Sequence, residues 1–227
     1  MGLLDEKVKT ETRAMFRDLI NPVRLIVFTG EPMLVTTDGG CETCKDNRTL
    51  VEEIAALSER ISVEIYDFSN DQQKAQQYGI DKIPATIIEG AKRSAIRFFG
   101  LPAGYEFTSL LQGIKTVSAG ESELSDVSKE KLKALTRPVH IQVFVTLTCP
   151  YCPMAVHMAY QMAFENPLIR ADAINAQEFM DFSQKYDVFT VPKIVINETT
   201  QFEGAIPEDA FIDKVLEAAS KITIPGS

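Results

Sequence analysis

Residues 139–152 read VHIQVFVTLTCPYC and combine an apolar run with a closely spaced pair of cysteines. The first seven of these residues are rich in β-branched and aromatic side chains, which predicts a buried β-strand. The chain has four cysteines, and the other two form a second pair with the same spacing, Cys41 and Cys44. A chain that places all its cysteines in Cys-x-x-Cys pairs favours redox chemistry or metal binding over a structural disulfide framework.

The two cysteine pairs belong to an internal repeat. Cys149 follows Cys41 by 108 residues, and Pro192 follows Pro84 by the same distance. In each half the second cysteine therefore precedes the proline by 40 residues. Agreement of separate landmarks at one offset indicates two related structural units in tandem.

The repeat is offset differently upstream of the cysteines. The apolar run at 23–29 lies 116 residues before its counterpart at 139–145. The first half therefore holds eight additional residues between its first strand and its cysteine pair. We hypothesise that this insertion, residues 31–38, forms a lid or a substrate contact.

Each half is predicted to have the element order helix, then β-α-β-α-β-β-α. Apolar periodicity indicates the helices, short β-branched runs indicate the strands, and Pro22 and Pro138 end the leading helices. Helices are predicted at 4–20, 71–78, 104–117, 122–136, 176–186 and 208–220, with one more after each cysteine pair; strands are predicted at 23–29, 61–67, 85–89, 94–99, 139–146, 168–174, 193–197 and 200–204. The fold class is α/β: two domains, 1–119 and 120–227, each with a mixed four-stranded sheet flanked by helices and an extra N-terminal helix.

The position of each cysteine pair after a strand and at the start of a helix has a chemical consequence. The first turn of a helix has unpaired N–H groups and the positive end of the helix dipole, which stabilise a thiolate. Cys41 and Cys149 are therefore the expected nucleophiles. Cys44 and Cys152, expected one turn inside the helix, are the resolving thiols that close the disulfide.

The two residues between the cysteines differ in the two halves. Pro150 suits the turn that enters a helix, because its missing N–H would be unpaired there. Glu42 places a carboxylate beside Cys41, and a like charge disfavours the thiolate. Glu42, Pro150 and Tyr151 are thus the residues expected to tune the thiols, and we expect Cys149 to be more acidic than Cys41.

The two repeated prolines predict a second part of each site. The steps Ile83–Pro84 and Val191–Pro192 both open a strand, where a cis bond would turn the chain towards the thiols. The backbone of the preceding residue could then pair with an extended substrate as an added strand. These four residues are the expected substrate-binding positions.

Composition excludes several other classes of protein. The net charge is −9 and no Lys/Arg cluster offsets it, which argues against nucleic-acid binding. No apolar run is long enough to span a bilayer, and the N-terminal residues lack the apolar core of a signal peptide. The expected location is therefore the cytoplasm, with no membrane partner.

The duplicated layout resembles the tandem thioredoxin-fold protein disulfide oxidoreductases, glutaredoxin-like proteins of thermophilic archaea and bacteria. The resemblance covers about residues 1–222, and Cys149-Pro150-Tyr151-Cys152 is its most specific motif. It implies reduction, oxidation and isomerisation of protein disulfides without a bound cofactor. It also implies electrons from an NADPH-dependent, thioredoxin reductase-like flavoprotein, and peroxiredoxins as further partners. A thioredoxin keeps a buried acidic residue six positions before its first cysteine, but here those positions are Val35 and Val143.

Three alternatives remain open at this stage. Four thiolates could bind a structural zinc ion if the two pairs came together, although we expect no metal site. The chain also resembles the N-terminal module of flavin-dependent alkyl hydroperoxide reductases, an electron donor to peroxiredoxins that typically keeps only the second cysteine pair. A scaffold that only docks partners is the third alternative, and activity would exclude it.

Overall fold

The computed structural model describes residues 2–30, 41–91 and 95–221. Its first half follows the predicted element order. The elements are α1 (Glu6–Met15, continued by a 3-10 turn Phe16–Asp18), β1 (Val23–Thr29), α2 (Cys44–Ala55), β2 (Ile61–Asp67), α3 (Gln72–Tyr78), β3 (Ala85–Glu89), β4 (Ala95–Phe99) and α4 (Glu106–Ala119). The insertion at 31–38 and Val35 lie outside the described residues, so the lid hypothesis stays a prediction.

The second half repeats this order. Its elements are α5 (Asp126–Lys133), β5 (Val139–Val145), α6 (Cys152–Glu165), β6 (Ile169–Asn175), α7 (Met180–Lys185), β7 (Lys193–Ile196), β8 (Thr200–Glu203) and α8 (Glu208–Ser220). Two predicted helices are too long. The helix predicted at 122–136 begins only at Asp126, because Ser125 caps it by accepting a hydrogen bond from the N–H of Ser128. The helix predicted at 176–186 begins at Met180, because residues 175–179 form a hydrogen-bonded turn in which the N–H of Phe179 donates to the carbonyl of Asn175.

The strands of the described residues form one sheet in the order β2-β1-β3-β4-β6-β5-β7-β8. Within each half the first strand is parallel to the second and antiparallel to the third. The two halves join through parallel pairing of β4 with β6, which the sequence did not predict. Tracing these directions shows that β1 and β5 run the same way. The loops that carry the two cysteine pairs therefore lie at the same end of the sheet, where the carboxyl ends of β1 and β5 are found.

Helices α4 and α6 pack together across the junction of the halves. Gly113 allows this contact, because a Cβ there would lie 2.5 Å from Cδ1 of Ile88 and 3.3 Å from the ring of Tyr160. The side-chain amide of Gln161 donates to Oγ1 of Thr116 across 2.8 Å. Apolar residues of both halves thus share one core around this helix pair.

Helix α4 ends at the predicted domain boundary. Gly120 adopts a left-handed conformation with φ of 80° and donates its N–H to the carbonyl of Thr116. The division at 119 and 120 stays a prediction, since the sheet runs through both halves. In the described ranges, no helix is long and apolar enough to cross a membrane.

Candidate active site

The cysteines form two disulfides, Cys41–Cys44 and Cys149–Cys152, with Cα–Cα separations of 5.4 and 5.5 Å. The prediction that the second cysteine lies one turn inside its helix is wrong, because Cys44 and Cys152 are the first residues of α2 and α6. The N–H of such a residue has no partner within the helix. At the second pair this N–H instead donates to Sγ of Cys149 across 3.2 Å.

The second centre brings the predicted residues of its half together. Val191–Pro192 is a cis peptide bond, and the carbonyl oxygen of Val191 lies 3.7 Å from Sγ of Cys149. Cys152 is fully buried, whereas Cys149 keeps 8% of its surface exposed. The outer sulfur is therefore the one that a substrate can reach. The side chain of Tyr151 is exposed, and its role with Pro150 in tuning the thiols stays a prediction.

The first centre has the same disulfide and cis-proline arrangement, but different residues surround it. Ile83–Pro84 is also cis, Cys44 is buried, and Cys41 is half-buried. Ile83 lies beside the end of β1, since a Cβ on Gly30 would lie 2.8 Å from its Cδ1. Glu42 is exposed, and its effect on Cys41 stays a prediction.

Buried polar groups lie below the first centre. Asn47, one turn into α2, exchanges hydrogen bonds of 3.2 and 3.3 Å with Thr86, two residues after the cis proline. The repeat places Ala155 and Ile194 at these positions in the second half. The buried polar pair of the first half is therefore replaced by two apolar residues in the second half.

A groove of about 580 Å³ adjoins the second centre. It extends from Thr146 and Val191 along one side of α7. Met180 and Phe189 project at its rim, and Phe189 is 88% exposed. An exposed apolar rim of this kind beside a reactive sulfur fits an apolar side chain of a bound polypeptide.

The first half has a smaller groove of about 250 Å³ at the equivalent position. Its lining residues match the second groove at the repeat offset of 108: Phe68, Ser69, Gln72, Ala75, Gln76 and Ile80. Asp81 stands where the second half has Phe189, and it pairs with Lys82 at 2.6 Å. The apolar rim is therefore a feature of the second centre.

Glu106, the first residue of α4, was missed by the sequence analysis. It is fully buried, and neither carboxylate oxygen has a hydrogen-bond partner among the described residues. Burial raises its pKa to about 7, an effect that the neighbouring Ser109 hydroxyl only partly offsets. An acidic residue at a helix start usually indicates a dipole interaction, so the sequence offered little signal of a buried group.

The packing of α4 on α6 places Glu106 level with Cys152. The two helices run side by side in the same direction, and contacting residues are separated by 45 positions (Thr116 and Gln161) or 47 (Gly113 and Tyr160). The N–H of Tyr105 donates to the carbonyl of Leu147, in the loop just before the second cysteine pair. The first half thus brings the start of α4, which carries the buried carboxyl group of Glu106, beside the loop that leads into the second cysteine pair.

The family model of the thioredoxin domain matches the chain twice, over residues 33–112 and 139–217. The chain belongs to the thioredoxin domain family. The crystal structure of a protein disulfide oxidoreductase from Aeropyrum pernix k1 is similar over 99% of both chains, with 33% sequence identity and a TM-score of 0.87. Two thioredoxin domains, each with a Cys-x-x-Cys disulfide at the start of a helix, make this chain a thiol–disulfide oxidoreductase.

Other relatives share the tandem thioredoxin fold. The NTD_N/C domain of alkylhydroperoxide reductase AhpF from Enterococcus faecalis matches 93% of this chain and 99% of that chain, with 23% identity and a TM-score of 0.84. The F subunit of the alkyl hydroperoxide reductase from Pseudomonas putida is 26% identical over 94% of this chain and 37% of its own length. The chain thus spans less than two fifths of the length of these curated relatives.

The zinc alternative requires four thiolates around one ion. The four cysteines are bonded in pairs within their own halves. Among residues 2–30, 41–91 and 95–221, no group of three or more His, Cys, Asp or Glu side chains has a geometry that could hold a metal ion.

Proposed function

We propose that this protein exchanges disulfides with polypeptide substrates mainly at its second centre, with Cys149 as nucleophile and Cys152 as resolving thiol. The contact between Sγ of Cys149 and the carbonyl of Val191 carries this proposal. This contact supports the proposal because the outer sulfur, which keeps a small accessible surface, lies beside backbone that can pair with an extended chain, next to the apolar groove. The first centre, with Cys41 as nucleophile and Cys44 as resolving thiol, serves as a second redox site.

The exchange proceeds in two balanced steps. The thiolate of Cys149 attacks one sulfur of a substrate disulfide, forms a mixed disulfide and releases the other substrate sulfur as a thiolate. The thiolate of Cys152 then attacks Sγ of Cys149, closes the protein disulfide and releases the second substrate thiol. The substrate gains two electrons and two protons, and the protein pair loses them. The N–H of Cys152 stabilises the Cys149 thiolate before the attack and when it leaves in the reverse direction.

Glu106 supports the second step as a proton acceptor. Cys152 is buried, so its thiol needs a base inside the protein to become a nucleophile. A carboxyl group with a pKa of about 7 can accept that proton at neutral pH and return it in the reverse reaction. Glu106 thereby takes the role of proton acceptor that a buried acidic residue has in thioredoxins. Val143 occupies the position of that residue in this chain.

Relatives support the proposed partners. The similarity to the F subunit of alkyl hydroperoxide reductases favours a flavoprotein reductase as electron donor and a peroxiredoxin as one acceptor. The electron source would then be NADPH through that flavoprotein, and the redox pairs themselves need no bound cofactor. The restriction of cysteines to redox pairs fits a reducing compartment such as the cytoplasm.

Insulin reduction driven by dithiothreitol tests the proposal. The wild type is compared with two double variants, Cys41→Ser with Cys44→Ser and Cys149→Ser with Cys152→Ser. We expect the second variant to lose most of the activity and the first to keep most of it. A wild type without activity that carries bound zinc would overturn the redox function and support the metal site.

A further inference from the structure

The first redox centre is tied to the second half of the molecule through Glu178. Thr43 lies between the two cysteines of the first pair, and its Oγ1 donates to Oε2 of Glu178 in the turn between β6 and α7. The other carboxylate oxygen, Oε1, accepts from the N–H of Leu101 at 2.8 Å and from Nδ2 of Asn175 at 2.6 Å. One carboxylate therefore joins the first redox turn, the segment after β4 and the end of β6.

The chain makes room for this carboxylate at Gly100. A Cβ on Gly100 would lie 2.8 Å from Oε1 of Glu178 and 2.8 Å from Cβ of Asn175. Gly204 is the matching residue of the second half, since each glycine donates its N–H to the carbonyl of its cis proline across 2.8 Å. A Cβ on Gly204 would meet nothing within 4 Å. The close approach is thus specific to the first centre.

The second centre is built differently at the equivalent positions. The repeat offset of 108 places Tyr151 where the first half has Thr43, and Tyr151 is 65% exposed. The residue equivalent to Glu178 is Asn70, which lies in an exposed turn after β2. The hydrogen bond that joins the two halves through Glu178 is therefore found at the first centre and, among the described residues, has no counterpart at the second.

We propose that Glu178 is a positioning residue of the first redox centre, through which the second half sets the reactivity of Cys41. Its hydrogen bond fixes Thr43 and hence the turn that carries both cysteines. Its negative charge lies one hydrogen bond away from Thr43, two residues after Cys41, and a nearby like charge opposes formation of the Cys41 thiolate. The inference rests on the proposed function, because it assigns Cys41 the role of nucleophile.

Substitution of Glu178 by Gln separates charge from geometry. In Glu178→Gln the remaining oxygen can still accept from Leu101 and Asn175, and the new amide N–H can donate to the Thr43 hydroxyl. The turn keeps its hydrogen bond and loses the negative charge. Glu53→Gln is the control. The Glu53 carboxylate accepts hydrogen bonds of 2.9 Å from the backbone N–H groups of Leu3 and Leu4, and it lies more than two helical turns from Cys44.

The test is alkylation of the fully reduced, full-length protein by iodoacetamide as a function of pH, with mass spectrometry assigning the label to each cysteine. In Glu178→Gln we expect the pKa of Cys41 to fall by roughly half a unit, which corresponds to about a threefold faster reaction at neutral pH. Cys149 in the same molecules is an internal control and should not change. The Glu53→Gln protein should behave as the wild type at both cysteines.

A double-mutant cycle with Thr43 shows whether the effect passes through the hydrogen bond. Thr43→Val removes this hydrogen bond, while Leu101 and Asn175 still hold the carboxylate, so in this background we expect Glu178→Gln to lower the pKa of Cys41 by about as much as in the wild type, because a charge acts through space. A Thr43→Ser background keeps the hydroxyl and should retain the full effect. The proposal would be overturned if Glu178→Gln left the pKa of Cys41 unchanged, or if it shifted the pKa values of Cys41 and Cys149 equally. Since alkylation needs no substrate turnover, a failure of insulin reduction would count against the proposed function alone.

Discussion

Arg97 and Asp172 face each other across the junction of the two halves. They are register partners in the parallel pairing of β4 with β6, and Nε and Nη2 of Arg97 donate to the two carboxylate oxygens at 2.7 and 2.5 Å. Both side chains are buried, and His140 lies 2.6 Å from the same carboxylate. A two-pronged pair of this kind fixes the register of the strands that join the halves.

Removal of Arg97 should be costly, because it leaves a buried carboxylate without its main partner. We expect Arg97→Met to lower the free energy of unfolding by about 3–5 kcal/mol. Arg24→Met is the matched control, since Arg24 pairs with Glu64 and Glu89 but remains 41% exposed; its loss should cost about 1 kcal/mol or less. Urea unfolding measures both variants. Equal costs would contradict a special role of the junction pair.

Glu106 should make the stability of the protein fall as pH rises. Its pKa is raised from 4.5 to about 7 in the folded state, so between these values the folded protein holds a proton that the unfolded chain has released. Glu106→Gln removes this dependence. The free energy of unfolding of the variant minus that of the wild type should rise by about 3 kcal/mol as the pH is raised from about 4 to about 8, since one pKa unit corresponds to about 1.4 kcal/mol. Denaturant titrations at both pH values give this difference, and a gain below about 1 kcal/mol would contradict the buried, uncharged carboxyl group.

The same substitution should slow the second centre. With Glu106→Gln we expect the rate of insulin reduction at neutral pH to fall about tenfold or more, because Cys152 loses its proton acceptor. The step in the wild-type pH profile near the pKa of Glu106 should disappear. Glu123→Gln, which changes an exposed carboxylate, is the control. A variant with the wild-type pH profile would show that Glu106 takes no part in proton transfer.

Phe189 should matter for polypeptide substrates and not for small ones. We expect Phe189→Ala to reduce kcat/KM for insulin roughly threefold to tenfold, because it removes the exposed apolar rim of the groove. Reduction of a small aromatic disulfide that does not reach the groove should be unchanged. Val127→Ala alters an exposed apolar residue on α5 and serves as the control. Equal losses on both substrates would place the effect at the cysteines instead of the groove.

Alanine substitutions at the two matching glycines should differ in cost. Both have positive φ, 102° at Gly100 and 83° at Gly204, so both substitutions strain the backbone. Gly100→Ala also brings a Cβ against Glu178 and Asn175, whereas Gly204→Ala meets open space. We expect Gly100→Ala to lose at least about 1 kcal/mol more unfolding free energy. If thermal or urea unfolding gives equal losses, the carboxylate of Glu178 is free to move away.

The sequence predicted the elements of each half because their signals are local. Apolar runs, prolines and the spacing of the cysteines located β1, β5 and the steps Ile83–Pro84 and Val191–Pro192, whose cis state the structure adds. The exact start of α2 and α6 was missed because helix boundaries carry a weak signal: Thr43 and Tyr151 occupy the N-cap positions, and neither side chain makes a capping hydrogen bond.

What the sequence could not predict depends on contacts between the halves. A comparison of two repeats finds residues that occupy equivalent positions. The carboxylate of Glu178 is not repeated, because Asn70 stands at the equivalent position. Glu178 contacts the first redox turn through Thr43, and Glu106 begins a helix whose preceding residue bonds to the loop before the second cysteine pair. The pairing of β4 with β6 was missed for the same reason, because an edge strand carries no sequence signal of the partner that covers it.

The continuous sheet fixes the spacing of β1 and β5, the strands that precede the two cysteine pairs. The strands β1 and β5 are four places apart in the sheet, which corresponds to about 19 Å at the usual strand spacing. Thiol exchange requires sulfurs to approach to about 2 Å, so the two pairs of one molecule cannot trade electrons directly while the sheet is intact. Transfer of electrons between the two pairs therefore requires a separate thiol compound or another protein molecule. Each molecule therefore has two independent redox sites on one continuous sheet.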